Sequence, residues 1–248
     1  MGGTLMTLWK TFALTFRGRL HTKEGGSCQD SVYSHSSKDY AVVALSDGAG
    51  SASLSHIGSK ITVNTFANYL KANFDDLYEE EDGHLRVIER INRNLKRHAQ
   101  RTNAPLREYS STLIGVAIKD NRFFFMHIGD GVAGFEDQEG IKVLSTGAQG
   151  EFINETYFVT SPNAKEVAIV RKGEISEGVI SFFVMSDGAS RILYDNRKNR
   201  FTPGMVKILG WLDKYEKSQL KKTLIKSLGR LPPHYVYDDF SLGIMRRV

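Results

Sequence analysis

The pattern of apolar and polar positions contains two apolar runs that end in the same four residues. Tyr40 to Leu45 is almost wholly apolar, which predicts a buried strand, and Ser46-Asp47-Gly48-Ala49 ends it. Val179 to Met185 predicts another strand, and Ser186-Asp187-Gly188-Ala189 follows it. A buried strand holds the residue at its end rigidly, and the glycine lets the backbone approach an ion closely. Each pattern therefore predicts a fixed carboxylate.

The rest of the pattern predicts strands and helices in blocks. Further strands are predicted over residues 7–17, 31–33, 110–119, 122–128, 132–135, 167–172 and 240–245. Helices are predicted over 53–70 and 84–101, with two more between 201 and 228, and polar loops over 21–26 and 74–83. The strands of 110–135 are separated by tight turns, which predicts an antiparallel meander. The whole pattern predicts sheets covered by helices, and no long linker divides the 248 residues.

Composition narrows the class of protein. With 41% hydrophobic residues, the chain can bury a full core as one domain. No apolar run approaches the ~20 residues of a membrane helix, and no signal peptide pattern opens the chain. Cys28 is the single cysteine, so an internal disulfide and a cysteine-rich zinc site are excluded. We therefore expect a reduced, cytoplasmic protein without a membrane partner.

Basic residues concentrate between Arg86 and Arg107, where the pattern is helical, and the formal net charge is +5. One interpretation is a docking face for an acidic partner, and another is a nucleic-acid patch. The interpretation that we favour is a solvated helix face, because charge runs usually serve that purpose. Nucleic acid is accordingly the least expected partner.

Two more predicted turns carry aspartates, at Gly129-Asp130-Gly131 and at Tyr237-Asp238-Asp239-Phe240-Ser241. A single Asp-Gly pair means little, because this dipeptide is also common in ordinary turns. Four predicted strand ends that each present a carboxylate favour a shared site over four ordinary turns. Ligands that are all oxygen suit hard divalent ions such as Mg²⁺ or Mn²⁺.

Six short motifs occur in one order along the chain. They are Cys28-Gln29-Asp30-Ser31, Leu45-Ser46-Asp47-Gly48, Ser110-Ser111-Thr112-Leu113, Gly129-Asp130-Gly131, Met185-Ser186-Asp187-Gly188 and Asp238-Asp239-Phe240-Ser241. In these motifs the chain resembles the metal-dependent serine/threonine phosphatases of the protein phosphatase 2C family, in its bacterial-type branch. The resemblance runs from residue 28 to residue 241.

The resemblance implies an α+β fold, a four-layer αββα sandwich of two antiparallel β-sheets flanked by helices. It implies a single catalytic domain over residues 1–248, with 1–6 expected to be flexible. It also implies hydrolysis of phosphoserine and phosphothreonine by water activated at a binuclear Mg²⁺ or Mn²⁺ centre, with a third ion as an option.

The resemblance also assigns roles to residues of the site. Asp47 would bridge both metals, and the Gly48 carbonyl would bind one of them. Asp187 and Asp238 would complete the ligands of the other metal, so Asp47, Asp187 and Asp238 are the expected catalytic residues. Asp30 would sit at the same cluster, and Asp130 would match the position that holds a third, weaker metal. Asp239 is interpreted as a turn residue.

Three positions depart from the family pattern. Gln29 stands where many relatives have a glutamate, and Ala49 stands where one branch has a histidine. Gly25 stands where an arginine that binds phosphate is expected. Because the substrate is a dianion, a nearby cation is needed. The candidates are Lys23, Arg19 and His21, of which we expect Lys23 or, in reserve, His21 to supply it.

Two functions remain open on the sequence. The first is an active phosphatase that acts on phosphoproteins, with a serine/threonine kinase as its implied opposing partner. The second is a pseudophosphatase that keeps the fold and uses it to bind a phosphoprotein or a kinase. The retained aspartates favour the first. Residues 150–156 resemble an element of one bacterial branch, to which we assign no chemistry.

Overall fold

The computed structural model describes residues 8–23, 25–147, 156–176 and 178–247. Its strands are β1 (Trp9–Phe16), β2 (Ser31–Ser36), β3 (Tyr40–Ser46), β4 (Leu113–Lys119), β5 (Arg122–Ile128), β6 (Val132–Asp137), β7 (Gly140–Ser145), β8 (Ile169–Glu174), β9 (Ser181–Met185), β10 (Tyr194–Asp195), β11 (Arg200–Phe201) and β12 (Phe240–Arg247). Its α-helices are α1 (Arg19–Lys23), α2 (Ser55–Glu79), α3 (Gly83–Thr102), α4 (Asp187–Leu193), α5 (Pro203–Lys214) and α6 (Lys217–Gly229).

Two five-stranded antiparallel sheets form the centre of the fold. One has the strand order β1-β12-β9-β6-β7, and the other has the order β2-β3-β4-β5-β8. Strands β10 and β11 form a separate two-stranded ribbon. The expected α+β class with two antiparallel sheets is confirmed.

The buried side chains form three apolar layers that define a four-layer sandwich. Leu70, Leu77, Ile91 and Leu95 of α2 and α3 pack against the second sheet, on the face that carries Val42 of β3. Side chains of α5 and α6 pack in the same way on the first sheet. A third cluster fills the space between the two sheets. The layers therefore run helix, sheet, sheet, helix, as expected.

Strand β3 shows why its sequence is apolar throughout. Tyr40, Val42 and Ala44 face the helices, whereas the alternate residues of the strand face the other sheet. All seven residues from Tyr40 to Ser46 are buried. A strand that is covered on both faces needs apolar residues at nearly every position, so the first segment of the pattern was interpreted correctly.

Several local predictions were wrong. The predicted meander fails at its third strand, because β6 pairs with β7 and β9 in the other sheet rather than with β5. The predicted loop over 74–83 is largely the end of α2, whose Phe74 and Leu77 are buried in the core. The predicted loop over 21–26 begins inside α1. Strand β7 and helix α4 were not predicted.

Two other expectations fall wholly or partly outside the described residues. Residues 1–6 are not among them, and of residues 150–156 only Thr156 is. The single-domain assignment to residues 1–248 stays a prediction. In the part of the chain that the structure describes, no helix combines the length and the apolar character needed to cross a bilayer.

Candidate metal centre and active site

Asp30 and Asp47 are brought together by the pairing of β2 with β3. The register joins Ser31 to Ser46, so Asp30, just before β2, and Asp47, just after β3, lie at the same end of the sheet. Asp30 is 6% exposed, and neither of its carboxylate oxygens has a hydrogen-bond partner among the described residues. Two unpaired acidic oxygens in a buried place form the negative centre of the site.

Burial and like charge raise the pKa values of this pair. Burial is the main cause of the rise in the pKa of Asp30 to about 8, and the charge of Asp239 adds to it. The hydroxyls of Ser186 and Ser241 lie near enough to moderate the rise. The pKa of Asp47 is raised well above its usual value, first by burial and then by the charge of Asp30. A bound cation would relieve both effects.

The loop after Asp47 is held by the segment that precedes β4. The Asp47 backbone N–H donates to Thr112 Oγ1 at 2.9 Å, and the Thr112 N–H donates to the Asp47 carbonyl at 2.8 Å. Gly48 forms an isolated bridge with Ser111. A Cβ atom on Gly48 would lie 2.8 Å from Ser55 Cβ and 2.9 Å from the Gln29 carbonyl oxygen. The serine-threonine motif therefore positions the predicted bridging ligand, and only glycine fits beside it.

Asp187 and Asp238 are brought together in the same way by β9 and β12. Leu242 of β12 pairs with Met185 of β9, and Ser241 N–H donates to Ser186 Oγ at 3.0 Å. Asp187 begins helix α4, and Asp238 lies two residues before β12. The pKa of Asp238 is raised, first by burial and then by the charge of Asp187.

Asp130 lies between β5 and β6, where the chain passes from one sheet to the other. Its pKa is raised by burial and by the charge of Asp187. Thr156 Oγ1 donates a hydrogen bond of 2.7 Å to its Oδ2 atom. Asp130 and Asp187 both add to the rise in the pKa of Asp47. All five predicted aspartates thus belong to one electrostatically coupled cluster.

Arg191 adds a cation to this cluster that sequence reasoning missed. Its Nη2 atom lies 2.8 Å from Asp187 Oδ2 and 3.9 Å from Asp238 Oδ2. Its charge lowers the pKa values of Asp130 and Asp238, against the effects that raise them. Its side chain is 59% exposed, so part of the guanidinium faces solvent. An arginine four residues after an aspartate is a detectable signal only if the segment is known to be helical.

His21 and Lys23 occupy different environments on α1. His21 Nδ1 lies 3.0 Å from Asp239 Oδ2, and its side chain is 12% exposed. Lys23 is exposed at the end of the helix. Gly25, at the position expected for an arginine, has a φ of +70°. The roles of His21 and Lys23 toward a phosphate group stay predictions.

Asp239 is a buried anchor rather than an ordinary turn residue. Its Oδ1 accepts a hydrogen bond of 2.7 Å from the Gly18 N–H, and its Oδ2 accepts one of 2.7 Å from the Gln29 N–H. With His21 it ties α1 and the segment before Asp30 to the start of β12. In the sequence, the only sign of a role for Asp239 was its place in the motif Asp238-Asp239-Phe240-Ser241.

The donor set fits a hard divalent ion in its chemistry. All the side-chain donors are carboxylate oxygens, and those of Asp30 have no hydrogen-bond partner in the described chain. Burial, and after it the charge of a neighbouring carboxylate, raises the pKa values of Asp30, Asp47, Asp130 and Asp238. Across the described residues, no three His, Cys, Asp or Glu side chains already converge into a ready-made metal site. The aspartates would therefore have to draw closer around an ion.

Comparison with known proteins places this geometry in a family. The family model described as protein phosphatase 2C matches residues 17–225. A curated relative, the serine/threonine-protein phosphatase 3 of Escherichia coli (strain K12), is 24% identical over 163 residues. That match covers 63% of this chain and 64% of the relative, so the chain spans somewhat less than two thirds of that protein.

Solved structures share the fold at low sequence identity. The S. agalactiae serine/threonine phosphatase superposes with a TM-score of 0.67 at 20% identity, over 96% of this chain and 99% of that one. The catalytic domain of the serine/threonine phosphatase PstP, in complex with two manganese ions, gives a TM-score of 0.64 at 18% identity, over 98% and 99%.

Proposed function

The chain belongs to the protein phosphatase 2C family, and from that membership we propose that it is a metal-dependent protein phosphatase that acts on phosphoserine and phosphothreonine. The observation that supports this most is the cluster itself. Two pairs of antiparallel strands each deliver two carboxylates to it, Asp30 with Asp47 and Asp187 with Asp238. Burial, and after it the like charges of neighbouring carboxylates, raises the pKa values of Asp47 and Asp238, which is the electrostatic condition that bound cations relieve.

The proposed cofactor is a pair of Mn²⁺ or Mg²⁺ ions, in line with the oxygen donors and with the manganese of the PstP relative. Once bound, such a pair supplies a nucleophile from water at neutral pH and neutralises the phosphoryl charge. One ion would be held by Asp47 and the Gly48 carbonyl. The other ion would be held by Asp47, Asp187 and Asp238. Asp30 would support the cluster from its buried side, and Asp130 would hold a third ion.

A dianionic substrate also calls for a cation from the protein. Lys23 and His21 are the sequence-based candidates, but His21 is paired with Asp239. Arg191 is a further candidate, since it contacts Asp187 and keeps part of its guanidinium in solvent. We propose that Arg191 contacts the substrate phosphoryl group, because a guanidinium presents several N–H donors to phosphate oxygens.

The proposed partners follow from this activity. The substrate would be a phosphoprotein, and a serine/threonine kinase would supply it by the opposite reaction. Cytoplasmic localisation is proposed with it, on the single cysteine of the chain.

One assay tests the proposed function. Phosphate release is measured from p-nitrophenyl phosphate and from a phosphothreonine peptide, with Mn²⁺, with Mg²⁺ and with EDTA. We expect turnover of both substrates with either ion and none in EDTA, because the donor set holds hard ions. Turnover that persists in EDTA would contradict the metal centre. A protein that binds the phosphopeptide without hydrolysing it would be a pseudophosphatase instead.

A further inference from the structure

A groove of about 830 Å³ runs between helices α2 and α3. Its rim carries Lys60, Arg90, Arg97 and Arg101. None of its lining residues in the described chain is an aspartate or a glutamate. The groove is therefore a positively charged surface in a chain whose formal net charge is only +5.

Most of these charges have no internal counter-ion. Arg90 lies over the ring of Tyr69 at 5.7 Å from its centroid. Lys60, Arg97 and Arg101 are exposed, and each lacks an acidic partner within 4.0 Å among the described residues.

Three basic residues close to the groove but outside its lining pair with carboxylates. Lys119 and Arg122 both pair with Asp75, and Lys165 pairs with Glu89 on the opposite side of α3. The lining of the groove, by contrast, combines four basic side chains with no carboxylate. This concentrates positive potential in one concave surface, which attracts an anionic partner.

The floor of the groove suits a polypeptide. Ile57 and Ile61 are half-buried, and the lining also includes the amide side chains of Asn64, Asn68 and Asn94. The Nδ2 atoms of Asn64 and Asn94 donate to the Lys60 carbonyl and to Thr65 Oγ1, which leaves their amide oxygens for a ligand. Amide side chains can both donate to and accept from a peptide backbone. Single-stranded nucleic acid binds instead by stacking its bases on aromatic rings. Of the two rings in the lining, Tyr69 has Arg90 over it and His98 packs edge-on against Tyr109.

The groove begins beside the carboxylate cluster. Ile57 and Lys60 lie in the first turns of α2, where Ser59 Oγ donates to the Gln29 carbonyl at 2.6 Å and Ser55 packs against Gly48. From Ile57 to Asn73, helix α2 rises by about 24 Å. An extended peptide of about seven residues covers that length.

We propose that this groove docks an acidic polypeptide segment that belongs to the same substrate chain as the phosphorylated residue. The inference deepens the proposed function, since it names a class of phosphoprotein that the site would prefer. Acidic side chains of the segment pair with Lys60, Arg97 and Arg101, while its apolar parts lie on Ile57 and Ile61. Docking raises the local concentration of the phosphorylated residue at the cluster.

Direct binding tests the groove without reference to catalysis. A fluorescein-labelled peptide of alternating Glu and Leu residues is titrated in EDTA, and its Kd is measured by anisotropy for the wild type and for the triple variant Lys60→Glu, Arg97→Glu, Arg101→Glu. The matched control is Lys221→Glu, Lys222→Glu, Lys226→Glu on α6, where the same net charge changes on another exposed helix. Melting temperatures check that both variants fold.

We expect the groove variant to raise Kd by about tenfold or more, because three attractive charges in the groove become repulsive toward the acidic peptide. The control should change Kd by less than about twofold. Equal losses in both variants, or an unchanged Kd in the groove variant, would overturn the proposal and leave a solvated face. A labelled oligothymidylate that binds the wild type more tightly than the peptide does would overturn it in favour of nucleic acid.

Kinetics then separate this inference from the proposed function. With p-nitrophenyl phosphate, both triple variants should keep the kcat/KM of the wild type, since neither alters the cluster. With a phosphothreonine peptide that carries an acidic extension, the groove variant should lose about tenfold in kcat/KM, and without the extension it should lose little. A wild type that binds the acidic peptide but hydrolyses no substrate would contradict the phosphatase and leave the docking groove intact.

Discussion

The two Ser-Asp-Gly-Ala segments have the same sequence and different structures. After Ser46-Asp47-Gly48-Ala49 the chain continues as a loop, because the Ala49 N–H donates to the Ser110 carbonyl at 2.9 Å. After Ser186-Asp187-Gly188-Ala189 it forms helix α4, in which the Ser190 N–H donates to the Ser186 carbonyl at 2.9 Å. The conformation of each segment is set by the residues after it and by the chain that packs against it, rather than by the four shared residues.

The two aspartates differ in charge environment as a result. Asp47 faces Asp30, and burial and like charge raise its pKa well above the usual value. Asp187 begins a helix, where the backbone dipole favours an anion, and Arg191 lies one turn later at 2.8 Å. The first segment holds a carboxylate with no ion pair among the described residues, whereas the second has Arg191 beside it.

The largest effect should come from Asp47. Asp47→Asn removes the proposed bridging charge, so we expect kcat to fall by about a thousandfold at saturating Mn²⁺. Without metal, the variant should be at least as stable as the wild type, because it removes one of several repelling carboxylates. Steady-state kinetics and thermal melting in EDTA measure the two effects. A variant that keeps most of its activity would show that Asp47 does not bridge.

The second effect concerns the glycines of the two segments. A Cβ on Gly188 would lie 2.2 Å from the Asp239 carbonyl oxygen, whereas the nearest atom to a Cβ on Gly48 is Ser55 Cβ at 2.8 Å. Gly188→Ala should therefore lower the free energy of unfolding by about 3 kcal/mol, and Gly48→Ala by less. Overpacking against backbone outweighs the ~1 kcal/mol that alanine gains over glycine in a helix.

Gly210 of α5 provides the control for this pair. Nothing lies within 4 Å of a Cβ atom at that position. Gly210→Ala should raise the free energy of unfolding by up to about 1 kcal/mol, because helix propensity acts there alone. Urea denaturation compares the three variants. A Gly188→Ala protein as stable as the wild type would show that α4 can shift away from Asp239.

The comparison also shows what could be predicted from the sequence. Strand β3 could be predicted because both of its faces are buried, so the apolar residues that mark it are consecutive in the sequence. Helix α4 was not, because the segment at its start is identical to one that forms a loop. Arg191 was missed with it, since its position beside Asp187 follows from the helix.

Long-range contacts escaped prediction for a different reason. The sequence from β5 through a tight turn to β6 suits two structures, a hairpin within one sheet and a passage from one sheet to the other. Only the pairing of β6 with β9 shows that the second structure is the one formed. Asp239 contacts Gly18 and Gln29, which lie more than 200 residues away in sequence. The order of the motifs predicted which carboxylates share a site, but it carried no information about which side chains lie beside them as partners.

The third prediction concerns His127, whose pKa is shifted by burial without a contribution from like charge. His127, at the end of β5, is fully buried, and burial alone lowers its pKa to about 3. Its Nδ1 atom lies 2.8 Å from Ser145 Oγ. Because the unfolded chain takes up a proton near pH 6.5 and the folded one does not, stability should fall as the pH drops from 6.5 toward 3. The contribution of this group between pH 7 and pH 5 is about 2 kcal/mol.

The slope of stability against pH measures this contribution. His127→Gln should flatten the slope between pH 7 and pH 5, whatever its effect on stability at pH 7. His234→Gln, at an exposed position, should leave the slope as it is in the wild type. An unchanged slope in His127→Gln would mean that His127 becomes protonated in the folded protein.

The smallest expected effect concerns Arg191, the cation beside Asp187. Arg191→Ala should raise KM for a phosphothreonine peptide by about five- to tenfold, because a charge-assisted contact with the phosphoryl group is lost. Mn²⁺ affinity, measured by calorimetry, should stay the same or increase, since a positive charge beside Asp187 is removed. Arg191→Lys should recover part of the KM. If Lys23→Ala raises KM and Arg191→Ala does not, the phosphate is held at α1 instead.

Strand β12 has a consequence for how the protein is made. It is the last strand in chain order and lies between β1 and β9, so those two strands have no connection through their sheet until it inserts. Asp238 and the anchor Asp239 directly precede it. A chain emerging from the ribosome therefore exposes the open edges of β1 and β9 until residues 240–247 appear. The carboxylate cluster is completed only after translation of nearly all the described chain, so a nascent chain has no complete site to load with metal.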